Sequence, residues 1–205
     1  MNAAPLKIDW PLTLEGSFVR LDPVRREHAE LFWEVSKADL EDIFRWIPYS
    51  MKTREDFESL IDKAFAEQER GESIVFATVE RASGQVVGST RFMNIDRANR
   101  RVEIGSTWYA KRVQRSGVNT QCKMLLLAHA FEKLDCIAVE FRTHFFNHQS
   151  RRAIERLGAK LDGILRNHVI ARNGTLRDTV VYSIIASEWP TVKAHLNYQL
   201  NEKAR

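Results

Sequence analysis

Residues 113–120 combine residue types and a position along the chain that suit phosphate binding. They connect a strand-like run, 102–109, to a long apolar helix-like run, 118–134. A turn between a strand and a helix leaves backbone N–H groups without partners, and the helix dipole adds positive potential. Gly117 permits a positive φ and close approach of a ligand, and three cations lie near in sequence: Arg112, Arg115 and Lys123. The alternative is an ordinary loop that contains a glycine.

The order Gln114-Arg115-Ser116-Gly117-Val118-Asn119 resembles the pyrophosphate loop Gln-x-x-Gly-x-(Gly/Ala) of the GNAT superfamily, the Gcn5-related N-acetyltransferases. Asn119 stands where the family has Gly or Ala, and Asn tolerates unusual backbone angles better than most residues. The resemblance implies that acetyl-CoA is the co-substrate. It also implies that its pyrophosphate is bound by Gln114, Arg115, Ser116, Gly117, Val118, Asn119 and Thr120.

Acetyl transfer from a thioester to an amine sets three chemical requirements. The amine must lose a proton, the carbonyl oxygen needs hydrogen-bond donors as it gains charge, and the leaving thiolate must be protonated. No covalent intermediate is needed if donor and acceptor are held side by side.

Glu103 is the first candidate for the base. It lies eleven positions before Gln114, the interval that separates base and glutamine in the histone-acetylating branch of the family. Strand alternation is expected to place Glu103, Gly105 and Thr107 on one face. A carboxyl group with its ordinary pKa near ~4.3 is a poor base for an ammonium, so burial must raise that pKa.

Two histidines compete for the same role. His144 is expected to end the strand after the long helix, and His168 to lie on the last hairpin. An imidazole titrates near ~6.5 and needs no special environment to act as a base. The structural alternatives also stay open: Glu103 as a surface residue paired with Arg101 or Arg142, and each histidine as a structural or exposed side chain.

The segment Asn147-His148-Gln149-Ser150 resembles the family's Asn-x-x-Ser/Ala. The resemblance implies that Asn147 contacts the pantetheine arm. Because Ile154 stands where many members carry a tyrosine acid, Ser150 is the candidate that protonates the thiolate, with bulk water as the alternative. Asn147 as a plain helix cap is compatible with both. For the acyl oxygen we expect backbone donors near Thr107, Trp108 and Tyr109, and for the 3′-phosphate of coenzyme A the cations Arg151, Arg152 and Arg156.

Composition narrows the class of protein. The net charge of +4, from 31 basic and 27 acidic residues, suits a polyanionic small ligand and is too mild to indicate nucleic acid. Cys122 and Cys136 have no metal-binding spacing, so no metal is expected and reduced core thiols are predicted. No secretory signal or membrane-length apolar run is visible, which makes the cytoplasm the expected location.

Hydrophobic periodicity predicts a single α+β domain over residues 1–205, with 188–205 a C-terminal helix and tail. Asp22-Pro23 is expected to start a helix, Thr53 to cap another through a capping box with Asp56, and Asn173-Gly174 to turn a hairpin. Strands are predicted at 12–21 in two pieces, 74–80, 86–94, 101–109, 137–145, 161–171 and 176–185. Further helices are predicted at 39–46, 118–134, 147–157 and from Ser187.

This order resembles the GNAT fold, a mixed central sheet of about six to seven strands flanked by helices on both faces. Other shared features, among them Glu103-Ile104-Gly105 and Arg177-Asp178-Thr179, resemble the Rim-type ribosomal-protein acetyltransferases and their small-molecule relatives. The implied function is N-acetylation of a primary amine, with a peptide N-terminus or an amino-acid-like small molecule as acceptor. The alternative is a catalytically silent acyl-CoA-binding regulator, and a homodimer stays open.

Overall fold

In this computed structural model, the structure describes Ile8, residues 10–47, Tyr49, residues 51–171 and residues 174–203. The strands are β1 (Leu14–Glu15), β2 (Val19–Pro23), β3 (Ile74–Glu80), β4 (Val86–Asp96), β5 (Arg101–Tyr109), β6 (Ala138–His144), β7 (Lys160–Ile170) and β8 (Leu176–Ile185). The helices are α1 (His28–Ser36), α2 (Leu40–Phe44), α3 (Arg54–Glu69), α4 (Val118–Glu132), α5 (His148–Glu155) and α6 (Trp189–Lys203).

The strands form one mixed sheet in the order β1-β2-β3-β4-β5-β6-β8-β7. The pair β5–β6 is parallel and the other neighbouring pairs are antiparallel. The described residues thus contain eight strands rather than six to seven, because the two-residue β1 pairs with β2.

Helices cover both faces of the sheet, as the fold class predicts. On one face, Leu126 and Leu127 of α4 and Leu196 of α6 pack with Val102 and Phe141 in a single apolar cluster. On the other face, α1, α2 and α3 form a second cluster with strand residues such as Val75, Ala77 and Trp108. Both cysteines are buried and free, in agreement with the expected core thiols.

The second layer of helices leaves part of the sheet open. Strand alternation turns a set of polar side chains on β5, β6 and β8 away from the α4 cluster, because their neighbours Val102, Val139 and Val180 are buried beneath α4 and α6. We call this region the open face, defined by Glu103, Glu140, Arg142, His144 and Arg177.

One predicted helix start is wrong. Asp22 and Pro23 end β2, where they pair with Ala77 and Phe76, and the helix begins at His28. The carboxylate of Asp22 accepts hydrogen bonds from Arg20, so it does not cap a helix. Proline is tolerated at the end of a strand as well as in the first turn of a helix, and the local pattern did not distinguish the two.

Other predicted boundaries agree to within a few residues. The capping box of Thr53 and Asp56 starts α3, and Pro190 lies in the first turn of α6. Gly174 has the positive φ of +79° that its turn requires, whereas Asn173 lies outside the described residues. Among the described residues, no helix is long and apolar enough to cross a membrane.

Candidate active site

The parallel strands β5 and β6 separate soon after they meet. Both are described over their full length, and they pair only at Arg101–Glu103 with Ala138–Glu140. Beyond those pairs β5 continues to Tyr109 and β6 to His144. Separation of two neighbouring strands opens a V-shaped gap and leaves peptide groups on its walls for another partner.

The predicted phosphate turn lies at the end of β5 and is held by its own side chains. Gln114 Nε2 donates to the carbonyl of Tyr109 at 3.0 Å. Ser116 Oγ donates to the carbonyl of Val113 at 2.6 Å and accepts from the Val118 N–H at 3.2 Å. The backbone ladder of α4 then begins with Gln121 N–H to Gly117 at 2.9 Å, so the preceding N–H groups lie at the positive end of the helix.

The conformational role expected of Gly117 is wrong. Gly117 has a φ of −72°, and Arg115 takes the left-handed conformation with φ +62°. A Cβ added to Gly117 would meet Phe18 at 3.5 Å, an ordinary contact. Asn119 lies in the first turn of α4 with helical geometry, so the departure from the family pattern needs no unusual backbone angle.

Two of the three cations that the sequence places near the turn are engaged by other groups and are less available to bind phosphate than predicted. Arg112 pairs with Glu80 at 2.6 Å. Lys123 is buried between α4 and the sheet, where its Nζ donates to Thr90 at 3.1 Å and Thr107 at 2.5 Å. Burial lowers the pKa of Lys123 to about 8. Of the three, the exposed Arg115 remains beside the turn.

A cleft of about 530 Å³ borders the same turn. Its volume lies in the range of small-molecule sites. The wall opposite the turn includes Phe18 and Arg81, and Arg81 donates to the carbonyl of Gly16 at 3.0 Å. The full lining is Ser17, Phe18, Glu80, Arg81, Ala82, Arg115, Ser116, Gly117 and Val118.

Glu103 lies where the two strands part, in a buried polar setting. The residue is 6% exposed, and its Oε2 accepts a hydrogen bond from Asn94 Nδ2 at 2.7 Å. Arg142 Nε lies 3.5 Å from the same oxygen. Burial raises the pKa of Glu103, while Asn94 and Arg142 pull it down. The environment therefore meets the condition that a glutamate base requires.

Around Glu103 is a second cleft, of about 200 Å³. Arg101, one of the expected partners of Glu103, pairs instead with Glu140 at 2.8 Å. The cleft is lined by Asn94, Asp96, Arg101, Val102, Glu103, Glu140 and Arg142.

Thr107 does not lie on the face of Glu103, contrary to the prediction from simple alternation. Ser89 and Arg91 of β4 pair with Trp108 and Gly105, so β5 carries one extra residue between them. Ser106 has a φ of +46° there. Such a β-bulge shifts the alternation by one residue, and Thr107 turns toward Lys123 instead.

The two aromatic residues after the bulge are core side chains. The Trp108 ring lies 5.3 Å from that of Phe32 and 5.2 Å from that of Phe44. Tyr109 is buried in the cluster beneath α4, and burial raises the pKa of its phenol. Of residues 107–109, the backbone rather than the side chains stays available to the gap.

His144 lies on the open face, where the ring of Trp46 packs against it. Its ring is 4.8 Å from the ring of Trp46, measured between centroids, and its Nδ1 accepts the Phe146 N–H at 3.0 Å. Burial and the charge of Arg177 lower the pKa of His144, so the neutral imidazole is favoured.

His168 is exposed, in the irregular part of β7. Its Nδ1 lies 3.1 Å from Thr179 Oγ1. Because Thr179 is the partner of His144 in the β6–β8 register, both histidines border the same part of the open face.

Helix α5 starts beside the end of β6. Asn147 is its N-cap and accepts the Ser150 N–H at 3.0 Å, which confirms the cap. Ile154 is a core residue, so the position of the missing tyrosine faces the interior here. Of the arginines, Arg151 is half-buried and donates to Tyr182 and the carbonyl of Phe145. Arg152 and Arg156 are both exposed, and Arg156 donates to Thr120 and Gln199.

Sequence reasoning assigned no role to Arg177 beyond a shared motif. It lies at the start of β8, and its Nη1 approaches the carbonyl of Trp46 at 3.4 Å. The two residues are 131 positions apart, so no local pattern could have brought them together. Among the described residues, no group of three or more His, Cys, Asp or Glu could hold a metal ion.

Comparisons with known proteins identify the family. A family model described as "Acetyltransferase (GNAT) domain" matches residues 19–160. A Bacillus subtilis protein named "Putative ribosomal N-acetyltransferase YdaF" is 34% identical over 106 residues, which are 52% of this chain and 57% of that protein. The aligned region therefore spans little more than half the length of that relative.

Solved structures extend the similarity to nearly the whole chain. A GCN5-related N-acetyltransferase from Brucella melitensis superimposes with a TM-score of 0.89 and 33% identity, over 97% of this chain and 90% of that one. Mycobacterium smegmatis RimJ, solved with CoA-disulfide, superimposes with a TM-score of 0.80 over 93% of this chain and 95% of that one, and at 24% identity it shows the fold alone. The expected resemblance is confirmed, and the chain belongs to the GNAT acetyltransferase family.

Proposed function

We propose that this protein is an acetyl-CoA-dependent N-acetyltransferase that moves the acetyl group directly to a primary amine within a ternary complex. The observation that carries the proposal is the position of Glu103. This buried carboxylate with a raised pKa lies at the point where β5 and β6 part, on a face that the helices leave open.

The residues of the turn fit a diphosphate. The first turn of α4 offers backbone N–H groups at the positive end of the helix, and Arg115 adds an exposed cation. We assign this role to residues 114–120. Asn147 is the N-cap of α5, which follows the end of β6, and Arg152 is an exposed cation in the last turn of that helix. We assign them to the pantetheine and phosphate parts of the co-substrate.

In the proposed reaction, Glu103 accepts a proton from the ammonium of the acceptor, so that the free amine can attack the thioester carbonyl. Backbone N–H groups of residues 107–109 stabilise the charge that develops on the carbonyl oxygen. Ser150 passes a proton to the departing thiolate and regains the one that the nitrogen loses as the amide forms, so no net charge is left on the serine. His144 and His168 border the same face and are the competing bases that the experiments below distinguish.

The acceptor is proposed to be a peptide N-terminus or an amino-acid-like small molecule. The sequence predicts an aromatic and apolar wall for the acceptor at residues 44–49, opposite Asn167, His168 and Arg172 of the last hairpin. Trp46 lies beside His144 of the open face, whereas Ile47, Tyr49 and the buried Phe44 belong to the cluster of α1, α2 and α3. Pro48 of the wall and Arg172 of the hairpin lie outside the described residues. The wall is therefore apolar over the part that the structure describes.

Of the three acids that precede this wall, Asp39, Glu41 and Asp42, the first and the last are already paired. Lys111 Nζ lies 2.9 Å from Asp39 and 2.6 Å from Asp42. A polyamine or aminoglycoside needs several free carboxylates to hold its ammonium groups, and these two are neutralised. Their pairing favours an acceptor that carries a single primary amine.

A thiol-release assay with acetyl-CoA tests the proposal against peptides, amino acids, polyamines and aminoglycosides. We expect turnover with the first two classes and tight acetyl-CoA binding by calorimetry. Preferred turnover of polyamines or aminoglycosides would contradict the acceptor assignment. Acetyl-CoA binding without turnover on any class would favour the silent regulator instead.

A further inference from the structure

Arg177 is a half-buried cation of the open face that has no matching anion. Among the described residues, no carboxylate oxygen lies within 4.0 Å of its guanidinium, and its buried Nε has no hydrogen-bond partner. The approach to the Trp46 carbonyl, at 3.4 Å, is long for a hydrogen bond. A guanidinium partly removed from water and left unpaired is unfavourable in the free protein.

The carboxylate nearest in sequence is committed elsewhere. Asp178 accepts from Arg166 Nε at 2.6 Å and from the N–H of Asn167 at 2.7 Å. Strand alternation turns it to the opposite side of β8 from Arg177. The last hairpin therefore does not supply the missing charge.

The carboxylates of the open face are also matched by other cations. Glu140 pairs with Arg101 at 2.8 Å and with Arg142 at 3.0 Å. Glu103 lies 3.5 Å from Arg142. Within the described residues, both carboxylates of the open face therefore lie within 4.0 Å of a guanidinium other than Arg177.

Glu103 and Arg177 interact electrostatically although they do not form an ion pair. They are beyond ion-pair distance, yet burial lowers the pKa of Arg177 and the charge of Glu103 raises it. The charge of Arg177 also lowers the pKa of His144, which is on the same face. An acceptor amine at Glu103 would therefore have a cation nearby for a second, negatively charged group.

We propose that Arg177 binds a carboxylate of the acceptor, so that the preferred substrates carry a carboxylate close to the reacting amine. A guanidinium binds a carboxylate through two parallel hydrogen bonds. The Nε of Arg177 is buried, so the two Nη groups are the donors that an acceptor carboxylate would meet. One guanidinium without an ion-pair partner matches a monoanion better than a phosphate dianion. This inference rests on the proposed function, since it names the acceptor class of the same site.

The carboxylate could belong to a free amino acid or to an acidic side chain of a peptide, and matched pairs separate the sources. One pair is L-phenylalanine and L-phenylalaninamide. The other is a C-terminally amidated peptide with Asp or with Asn as its second residue. For at least one pair, we expect kcat/KM to be about tenfold or more higher for the member with the carboxylate than for the member with the amide. Most of that difference should come from a lower KM.

Arg177→Gln keeps most of the side-chain length and removes the charge. We expect it to reduce the preference for the carboxylate to within about threefold of unity, and Arg177→Lys to restore part of it, since lysine keeps the charge but not the planar fork. Arg166→Gln is the matched control: this exposed arginine on the neighbouring strand should leave the preference unchanged. A merely structural Arg177 would lower turnover of both members of each pair alike.

A binding experiment tests whether Arg177 binds a carboxylate, and it does not depend on turnover. Protein saturated with coenzyme A is titrated calorimetrically with 3-phenylpropionate and with 3-phenylpropionamide. Carboxylate-selective binding that Arg177→Gln removes supports the proposal even if no thiol is released, an outcome in which only the proposed function fails. Thiol release with equal use of both members of each pair, or an equal response of wild type and Arg177→Gln to 3-phenylpropionate, would overturn the inference and leave the proposed function standing.

Discussion

The turn at the end of β5 and the open face beside it are built in different ways. The turn is held by neighbours in sequence: Gln114 bonds to Tyr109, Ser116 to Val113 and Gln121 to Gly117. The open face is assembled from β5, β6, β8 and the segment after α2, with contacts such as Arg177 to Trp46 across 131 positions. A local turn serves one shared ligand, whereas a surface built from distant elements can be altered for a particular acceptor.

This comparison predicts which changes affect every substrate and which affect only some. Substitutions in the turn should weaken acetyl-CoA binding whatever the acceptor. Substitutions on the open face should leave acetyl-CoA binding intact and change proton transfer or acceptor use.

The largest effect is expected from Glu103→Gln, which keeps the shape and removes the base. We expect kcat/KM to fall by roughly 10²–10⁴, with acetyl-CoA affinity unchanged by calorimetry. In the wild type, kcat/KM should rise with pH as Glu103 loses its proton, at a pH above the ordinary range of a glutamate because its pKa is raised. The variant should lack that limb of the pH profile.

The result that would contradict Glu103 as the base involves the two histidines. If Glu103→Gln costs less than about threefold while His144→Ala or His168→Ala costs on the order of 10² or more, proton transfer belongs to a histidine. The open face would keep its role as the acceptor side, with a different base.

Gly117→Glu tests the turn. Its φ of −72° and the 3.5 Å contact of an added Cβ with Phe18 allow a side chain without backbone strain, and a carboxylate at the start of α4 suits the helix dipole. The fold should therefore survive, while repulsion of the diphosphate lowers acetyl-CoA affinity by more than about tenfold. Calorimetry measures the loss.

Gly117→Ala is the matched control for that experiment, because it adds the same Cβ without charge. We expect its acetyl-CoA affinity to stay within about twofold of wild type. Normal binding by a folded Gly117→Glu protein would show that the diphosphate does not lie at this turn.

The sequence was most informative where structure depends on neighbouring residues. The bounds of β5 and β8, the capping box of Thr53 and the cap at Asn147 were predicted correctly because each follows from a short pattern. The extra residue in β5 was not, since a bulge has no reliable local pattern, and Thr107 was placed on the wrong face.

Tertiary neighbours account for the other differences in the site. Lys123 seemed available to the turn because the sequence does not show which face of α4 meets the sheet, and the structure buries it beside Thr90 and Thr107. Glu103 could be named as a candidate, but its burial and its contacts with Asn94 and Arg142 depend on three strands meeting. The unmatched charge of Arg177 is a property of the whole open face.

Trp46→Ala sharpens the comparison from the acceptor side. The change removes the ring that lies 4.8 Å from His144 but keeps the backbone carbonyl near Arg177. Loss of one aromatic contact should raise the acceptor KM by roughly five- to tenfold, with acetyl-CoA affinity unchanged. Tyr198→Ala, on α6 beneath the opposite face and 65% exposed, is the control and should change neither. A fall in acetyl-CoA affinity with Trp46→Ala would show that the two regions are not separable.

The smallest effect on activity is expected at Lys123, whose buried ammonium lies between α4 and β5. Lys123→Met has a similar volume, and Thr90 and Thr107 can still bond to each other across their present 2.9 Å. Turnover should stay within about threefold of wild type. The effect should appear in the free energy of unfolding instead, because burial lowers the pKa of Lys123 to about 8 from its ordinary 10.5.

The sign of that effect follows from proton linkage. Between pH 8 and 10.5 the unfolded chain binds a proton at Lys123 that the folded chain lacks, so this group makes the wild type more stable as pH rises through that window. Below pH 8 its unfavourable burial is fully present, with an upper limit of about 3 kcal/mol. Urea unfolding should therefore show Lys123→Met more stable than wild type by about 1–3 kcal/mol at pH 7, with the gap closing toward pH 10.5. A variant that is less stable at pH 7, or a gap independent of pH, would mean that the two threonines hold the charged ammonium at no cost to the fold.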